Sequence, residues 1–271
     1  MNRNRLATEL RRLLKARQIS IEPAALDEHA ADKWFAARRP DIVVFAESTR
    51  DVARVLRCAS RHGVPVTTRG AGVGYVGGAV PVNGGIALSL IRMNAILEIS
   101  PEDGVAVVEP GVITGELQAR TREHGYFYPP DPASLDECTI GGNIATNAGG
   151  PRCLKYGVTR NYVLGLELVL PSGEVVEVGG RTHKNKTGFD FTGLLTGSEG
   201  MLGVVTKAVL RLIPQPPSRA ALSAGFRNMT RAAAAVQRIL GSGFLPSALE
   251  IADAFTLEAA RGHLGRQLVP P

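Results

Sequence analysis

Cysteine is scarce in this sequence, which contains only Cys58, Cys138 and Cys153. Their number is odd and none of them stands in a CxxC pair, so a disulfide framework and a cysteine-zinc cluster are both disfavoured. We therefore expect reduced thiols with structural roles, and the sequence assigns no metal site.

Aromatic residues are also few, at 5% of the chain, and the lysines and arginines are scattered along it. Proteins that bind nucleic acid usually combine a basic patch with aromatic stacking platforms. We therefore expect no nucleic-acid partner. The net charge of +6 suits a dianionic cofactor, although an ordinary basic surface explains it more simply.

Long apolar runs are absent as well. A membrane-spanning helix needs roughly 20 apolar residues, and every apolar run here is interrupted sooner by glycine, proline or charge. Residues 1–6 carry arginine but have neither the apolar stretch nor the cleavage site of a secretory signal. We expect no membrane span and a cytoplasmic protein, and 271 residues with 44% hydrophobic content suffice for one or two domains.

Hydrophobic periodicity predicts a mixture of helices and short strands. An amphipathic helix is expected over residues 3–17, where leucines recur at helical spacing. Ser48 is predicted to precede a second helix and Gly63 to end it. A proline-rich linker at residues 214–217 precedes a new unit. The predicted strands are residues 42–45, 64–68, 86–90, 96–99, 105–108, 163–170, 174–178, 203–213 and 220–226, and the later helices are residues 114–124, 230–240 and 253–261.

Residues 69–78 read Arg-Gly-Ala-Gly-Val-Gly-Tyr-Val-Gly-Gly, so side chains are nearly absent at alternate positions. Backbone N–H groups can crowd around an anion in such a segment, and a diphosphate is a natural ligand for them. Arg69 either adds positive charge at the rim of this loop or is an ordinary surface residue.

Gly72, Gly74 and Gly77 also match the GxGxxG fingerprint of dinucleotide-binding Rossmann folds. That fingerprint has to open a helix, whereas Pro81 and then the predicted strand 86–90 follow here. The context therefore disfavours an NAD-binding Rossmann fold. A purely structural glycine turn stays open as an alternative.

A second glycine-rich segment, residues 139–150, has small residues between two Gly-Gly pairs, so a flat ring or a phosphate can approach its main chain. Its polar side chains can contact a ligand or simply cap helices and turns. A third segment, residues 197–205, is flanked by glycines and lets strand backbone reach a planar ligand. The polar residues of interest in the second segment are Thr139, Asn143 and Asn147.

Together these segments resemble the FAD-binding domain of vanillyl-alcohol-oxidase-type flavoproteins, and they are most similar to the glycolate oxidase large subunit and to D-lactate dehydrogenases. The similarity runs over about residues 40–214. Its strongest pieces are residues 69–81, 129–134, 139–150, 155–157, 184–188 and 197–206.

The resemblance implies an α+β fold, with a two-subdomain PCMH-type FAD-binding domain followed by the start of an incomplete α+β cap domain. An N-terminal helical segment is expected at residues 1–39. The FAD-binding domain is expected at residues 40–213, with subdomains at about 40–100 and 101–213, and the start of the cap at residues 218–271.

The resemblance also implies which residues contact FAD, with the diphosphate on the first glycine loop. Relatives with covalent flavin often carry histidine in that loop, but this chain has none between His62 and His124, so non-covalent FAD is expected. Attachment through Cys153 is a remote alternative. The implied cofactor-binding residues are Arg69, Gly70, Ala71, Gly72, Val73, Gly74, Gly77, Pro130, Asp131, Ser134, Thr139, Gly142, Asn143, Asn147, Gly149, Val204 and Val205.

Two valines depart from the pattern of the relatives, which often have hydroxyl side chains at the positions of Val73 and Val76. Side-chain hydroxyl contacts to phosphate are therefore expected to be missing, and backbone donors would have to suffice.

The reaction implied by the resemblance is hydride transfer from a 2-hydroxy acid, such as glycolate or D-lactate, to the flavin, with an electron acceptor or partner subunit to reoxidise it. In the relatives a cap domain supplies a histidine pair from sequence beyond the match to residues 251–253, and we expect that part to be missing. His183 and His263 match no motif, so no catalytic residue is assigned. A non-catalytic FAD-binding subunit or fragment is the alternative.

Overall fold

A mainly parallel sheet organises the amino-terminal part of the chain. This computed structural model describes residues 3–264, so residues 1–2 of the predicted N-terminal segment and 265–271 of the predicted cap segment lie outside the described residues. The sheet has the strand order β1-β2-β4-β3, with β1 antiparallel to β2 and the other pairs parallel. Its elements are α1 (Arg3–Leu13), β1 (Ile19–Ser20), α2 (Pro23–Glu28), β2 (Ile42–Phe45), α3 (Thr49–His62), β3 (Val66–Arg69) and β4 (Ile86–Ser89).

Helix α3 forms where its apolar spacing and caps predict it. The hydroxyl of Ser48 accepts a hydrogen bond from the N–H of Asp51, and Gly63 ends the helix. One face of α3 is buried in the same core as α1 and the sheet. Helix α1 is shorter than the predicted 3–17, because it stops at Leu13 and the chain then makes a short 3₁₀ turn at Ala16–Gln18.

The following residues build an antiparallel sheet in the order β5-β6-β10-β8-β9. The predicted hairpin is confirmed as the antiparallel pair β8 and β9. Strand β10 is the last of the five in sequence, but it lies at the centre between β6 and β8. The elements of this region are β5 (Ile96–Ser100), β6 (Val105–Val108), α4 (Thr114–Glu123), β7 (Tyr126–Phe127), α5 (Ile140–Thr146), α6 (Cys153–Tyr156), β8 (Val163–Val169), β9 (Val175–Gly179), α7 (Phe191–Leu195), β10 (Val204–Arg211) and β11 (Ile213–Pro214).

A carboxylate ties helix α3 to the antiparallel sheet. Glu167 on β8 accepts hydrogen bonds from the Thr49 hydroxyl of α3 at 2.7 Å and from the Thr206 hydroxyl of β10 at 2.8 Å. Lys207 donates to its other oxygen at 3.2 Å. Burial would raise the pKa of Glu167, but these donors outweigh burial and hold the pKa below its ordinary value of 4.5.

This carboxylate predicts how stability depends on pH. Because its pKa is lower in the folded state, its stabilising effect is complete above pH 4.5 and is lost as pH falls through the folded pKa. Glu167→Gln should therefore lower the free energy of unfolding by roughly 1–3 kcal/mol at pH 7, and it should make the loss of stability in acid shallower. Urea unfolding at several pH values measures both, with exposed Glu174→Gln as the control; parallel curves for wild type and Glu167→Gln would contradict the assignment.

Within the described residues the chain divides into two compact units, one of residues 3–150 and 158–215 and one of residues 151–157 and 216–264. The second unit contains α6, α8 (Met229–Gly241) and α9 (Ala254–Leu264), near the two helices predicted at residues 230–240 and 253–261. The side chain of Asn228 caps α8 by accepting from the N–H of Arg231. No helix within residues 3–264 is long and apolar enough to cross a bilayer.

The strand predicted at residues 220–226 is wrong. These residues form neither strand nor helix, and Leu222 is 94% exposed. A strand needs a partner for its backbone groups, and none pairs with this segment in the described part of the chain.

Candidate cofactor-binding site

A cavity of about 570 Å³ lies between the loop that follows β3 and the start of α5. This volume is in the range of pockets for small molecules and cofactors, about 300–1,000 Å³. The two glycine segments adjoin there: a Cβ built on Gly70 would lie 2.2 Å from Oγ1 of Thr139. Only glycine permits this approach, which brings into one wall two segments that are 69 residues apart in numbering (139 minus 70).

The structure places most of the expected site residues on this cavity. The expected residues that line it are Gly70, Ala71, Gly72, Val73, Gly74, Ser134, Thr139, Gly142, Asn143, Val204 and Val205. The expected residues outside the described lining are Arg69, Gly77, Pro130, Asp131, Asn147 and Gly149.

The first glycine loop offers backbone donors. Within the described residues, no hydrogen bond uses the backbone N–H groups of residues 70–79. Residues 70–74 are half-buried, and half-buried N–H groups are normally paired. A run of unpaired main-chain amides of this kind can hold an anion. The loop also continues to β4 without a helix, as expected if the GxGxxG match is not a Rossmann fingerprint.

Arg69 packs against this loop without lining the cavity. Its guanidinium is buried and donates to the carbonyl oxygens of Ala31 at 2.7 Å and Glu28 at 3.2 Å. Gly72 has a φ of +71°, and a Cβ there would lie 2.1 Å from Nη2 of Arg69. Burial lowers the pKa of Arg69 from its ordinary value. Arg69 is therefore neither at the rim nor an ordinary surface residue, which corrects both sequence interpretations of it.

The second glycine segment is more regular than its composition indicates, because residues 140–146 form α5. The Thr139 hydroxyl caps the helix by accepting from the N–H of Gly142, and Asn147 ends it with a φ of +50°. The side-chain amide of Asn143 donates to the Thr114 hydroxyl at 2.6 Å. This segment thus supplies a firm wall of small residues, while the unpaired amides belong to the first loop.

The third segment docks on α5. The N–H groups of Gly197 and Glu199 donate to the carbonyl oxygens of Ile144 and Ala145 at 2.8 and 2.9 Å. These bonds fix the entry into β10, whose first two residues line the cavity.

Sequence reasoning missed the charged residues of the lining. The backbone N–H of Lys33 donates to the carbonyl of Gly74, and its ammonium lies 3.4 Å from a carboxylate oxygen of Glu137. Asp32 and Glu199 also line the cavity. No local pattern marks Asp32 or Lys33, since both lie between α2 and β2 and reach the loop only through tertiary folding. Glu199 lies in the third glycine-flanked segment, but its charge was assigned no role there.

Family comparison adds to this geometry. A family described as "FAD binding domain" matches residues 40–179, and one described as "FAD linked oxidases, C-terminal domain" matches residues 215–271. The chain belongs to the FAD-binding-domain family. The recognition of a PCMH-type flavoprotein and of FAD as the cofactor is confirmed.

Three curated relatives of this FAD-binding chain are informative. It is 45% identical to glycolate oxidase subunit GlcD of Bacillus subtilis, over 80% of the chain and 46% of that protein. It is 39% identical to D-lactate dehydrogenase of Anaerostipes hadrus, over 86% of the chain and 49% of that protein. It is 41% identical to D-2-hydroxyglutarate dehydrogenase of Xanthomonas citri, over 79% of the chain and 46% of that protein. The chain thus spans about half the length of these relatives.

Solved structures with the same fold include alkyldihydroxyacetonephosphate synthase, with a TM-score of 0.79 at 24% identity over 90% of this chain and 47% of that one. Another is p-cresol methylhydroxylase with substrate bound, with a TM-score of 0.69 at 27% identity over 79% of this chain and 44% of that one. The predicted α+β, PCMH-type fold is thereby confirmed.

The residues present fit FAD. A diphosphate needs closely spaced donors without large side chains, which the unpaired N–H groups of residues 70–79 provide. A ring system needs a smooth wall that it can approach closely, which the small residues of α5 provide.

Proposed function

We propose that this chain binds FAD non-covalently in the cavity between the first glycine loop and α5. We propose further that it is the flavin-binding part of a dehydrogenase that oxidises a 2-hydroxy acid such as glycolate or D-lactate. The observation that carries the proposal is the run of backbone N–H groups in residues 70–79 that find no acceptor within the described residues, in a loop that lines the cavity.

Different residues of the chain would contact different parts of the cofactor. The amides of residues 70–79 would bind the diphosphate, and Arg69 would keep the loop in shape through its bonds to carbonyl oxygens. Thr139 would present its hydroxyl proton, since its oxygen already accepts from Gly142. The main chain of Val204 and Val205 and the side chain of Ser134 would add polar contacts, since all three line the cavity.

When bound, FAD supplies a hydride acceptor for the substrate carbon. The named substrates of the three relatives, glycolate, D-lactate and D-2-hydroxyglutarate, share a hydroxyl beside a carboxylate. This shared chemistry supports a small 2-hydroxy acid as the substrate and an electron acceptor or partner subunit as the second partner. We assign no catalytic base, and a cytoplasmic location stays a prediction.

Two measurements test the proposal in order. The full chain is titrated with FAD and separately with NADH, and acid-precipitated protein is checked for released flavin. We expect saturable FAD binding, no comparable NADH binding, and complete flavin release, because no covalent bond is formed. Binding of NADH in preference to FAD would contradict the cofactor assignment.

The flavin-loaded chain is then mixed with an artificial electron-accepting dye and glycolate, D-lactate, D-2-hydroxyglutarate or L-lactate. Reduction of the dye with a D-2-hydroxy acid or glycolate would support the dehydrogenase. Tight FAD binding without dye reduction for any acid would instead identify this chain as a non-catalytic flavin-binding unit.

A further inference from the structure

Three potential metal ligands of different chemistry meet outside the cavity. Glu9 lies on α1, and Cys58 and His62 lie on α3. One ligand atom from each residue, an oxygen, a sulfur and a nitrogen, lies within 4.8 Å of the other two. None of the three residues lines the cofactor cavity.

The helix spacing explains this convergence. Cys58 and His62 are four residues apart on α3, so their side chains share one face, and α1 packs against that helix. Nε2 of His62 is 2.5 Å from Oε2 of Glu9. The other carboxylate oxygen, Oε1, accepts from Arg61 at 2.8 Å, which fixes the orientation of the carboxylate and leaves Oε2 towards the histidine.

We propose that Glu9, Cys58 and His62 form a binding site for a zinc ion or a similar divalent transition metal. Zinc binds sulfur, nitrogen and oxygen ligands, and in sites with three protein ligands a water takes the fourth position. A thiolate and an imidazole do not suit magnesium or calcium, which prefer oxygen. Arg61 would act from outside the ligand set by holding the carboxylate in place.

The proton balance of binding is simple. Without metal, the buried Cys58 thiol is protonated, because burial raises its pKa to about 11. The metal takes the place of the thiol proton, which leaves to solvent, while His62 binds as a neutral ring and Glu9 as a carboxylate. No electron transfer is involved.

The site would fasten the amino-terminal helix α1 to helix α3. Leu6 and Leu10 of α1 lie in the same core as α3, so a metal between the two helices adds a cross-link at the edge of that core. A ligand that binds only the folded state raises the melting temperature. Zinc should therefore stabilise the protein without contacting the flavin site.

The test uses the full chain without an affinity tag, treated with a chelator and then dialysed. Cobalt(II) is titrated in, and difference spectra that cancel any flavin absorption are recorded for a cobalt–thiolate charge-transfer band. Zinc is then added as competitor, and bound zinc per chain is measured by elemental analysis. The variants are Cys58→Ala and His62→Gln, with Cys153→Ser and His124→Gln as matched controls for a cysteine and an exposed histidine.

We expect one zinc per chain, a cobalt band that zinc abolishes, and a higher melting temperature with zinc. Cys58→Ala should lose the band, and His62→Gln should weaken metal binding roughly tenfold or more. His62 is only partly buried, so FAD binding in His62→Gln should stay at the wild-type level and show that the fold is intact. The proposal is overturned if wild type gives no band, or if the band survives Cys58→Ala and disappears in Cys153→Ser.

Discussion

Gly70→Ala is expected to weaken FAD binding by roughly 10–100-fold, because the new methyl group would lie 2.2 Å from Oγ1 of Thr139. To relieve this contact, either the Thr139 hydroxyl rotates away and gives up its cap on α5, or the glycine loop and α5 move apart. Both walls of the cavity would then lose their spacing, so the amides of the loop and the surface of α5 could no longer contact one flavin. Flavin fluorescence titration measures the loss directly.

Two further variants separate this explanation from a general effect of alanine. Gly180→Ala is the control, since a Cβ there meets nothing within 4 Å and its φ lies outside the left-handed region. It should bind FAD like wild type. Gly70→Ala combined with Thr139→Ala removes the clashing hydroxyl and should recover part of the FAD affinity. Loss of the Thr139 helix cap should lower the stability of this double variant by about 1 kcal/mol. Wild-type affinity in Gly70→Ala alone would contradict the proposed geometry.

Arg69→Leu is expected to lower the free energy of unfolding by about 3 kcal/mol, since it removes a buried charged donor and leaves its part-buried carbonyl acceptors without a partner. The guanidinium donates to Glu28 and Ala31, at and just after the end of α2, and at 3.5 Å to Ala79 at the end of the glycine loop. Their loss loosens the loop, so FAD should also bind more weakly.

Urea unfolding of the FAD-free chain measures this effect on stability. Exposed Arg50→Gln serves as the control for removal of one positive charge, and it should change stability by less than about 0.5 kcal/mol. If Arg69→Leu is as stable as wild type but loses FAD, then Arg69 contacts the cofactor directly and the buried supporting role is wrong.

Local signals made much of the fold predictable. Helix α3 has an apolar face, a capping serine and a terminal glycine, and the β8–β9 hairpin has two runs rich in valine and leucine around a Pro-Ser-Gly turn. The first glycine loop could be located because its composition is unusual. Each of these features is encoded within about 15 residues of sequence, so no tertiary information was needed.

The remaining features depend on contacts between distant segments. Helix α5 was not predicted because Gly141 and Gly142 lower the helix propensity of its sequence. Thr139 can be recognised as its capping residue only once the helix is known. Arg69 lies behind the loop because carbonyl oxygens of another segment surround it. Lys33 reaches the cavity in the same way, and no strand within residues 3–264 pairs with the segment 220–226.

Hydrogen exchange of the backbone amides, with and without FAD, tests the central claim most directly. The N–H groups of residues 70–79 have no partner within the described protein and should exchange rapidly in the FAD-free chain. With saturating FAD, exchange in residues 70–79 should slow strongly, while the exposed segment of residues 184–188 stays unchanged. If FAD is bound and exchange in residues 70–79 is still as fast as before, these amides do not hold the diphosphate.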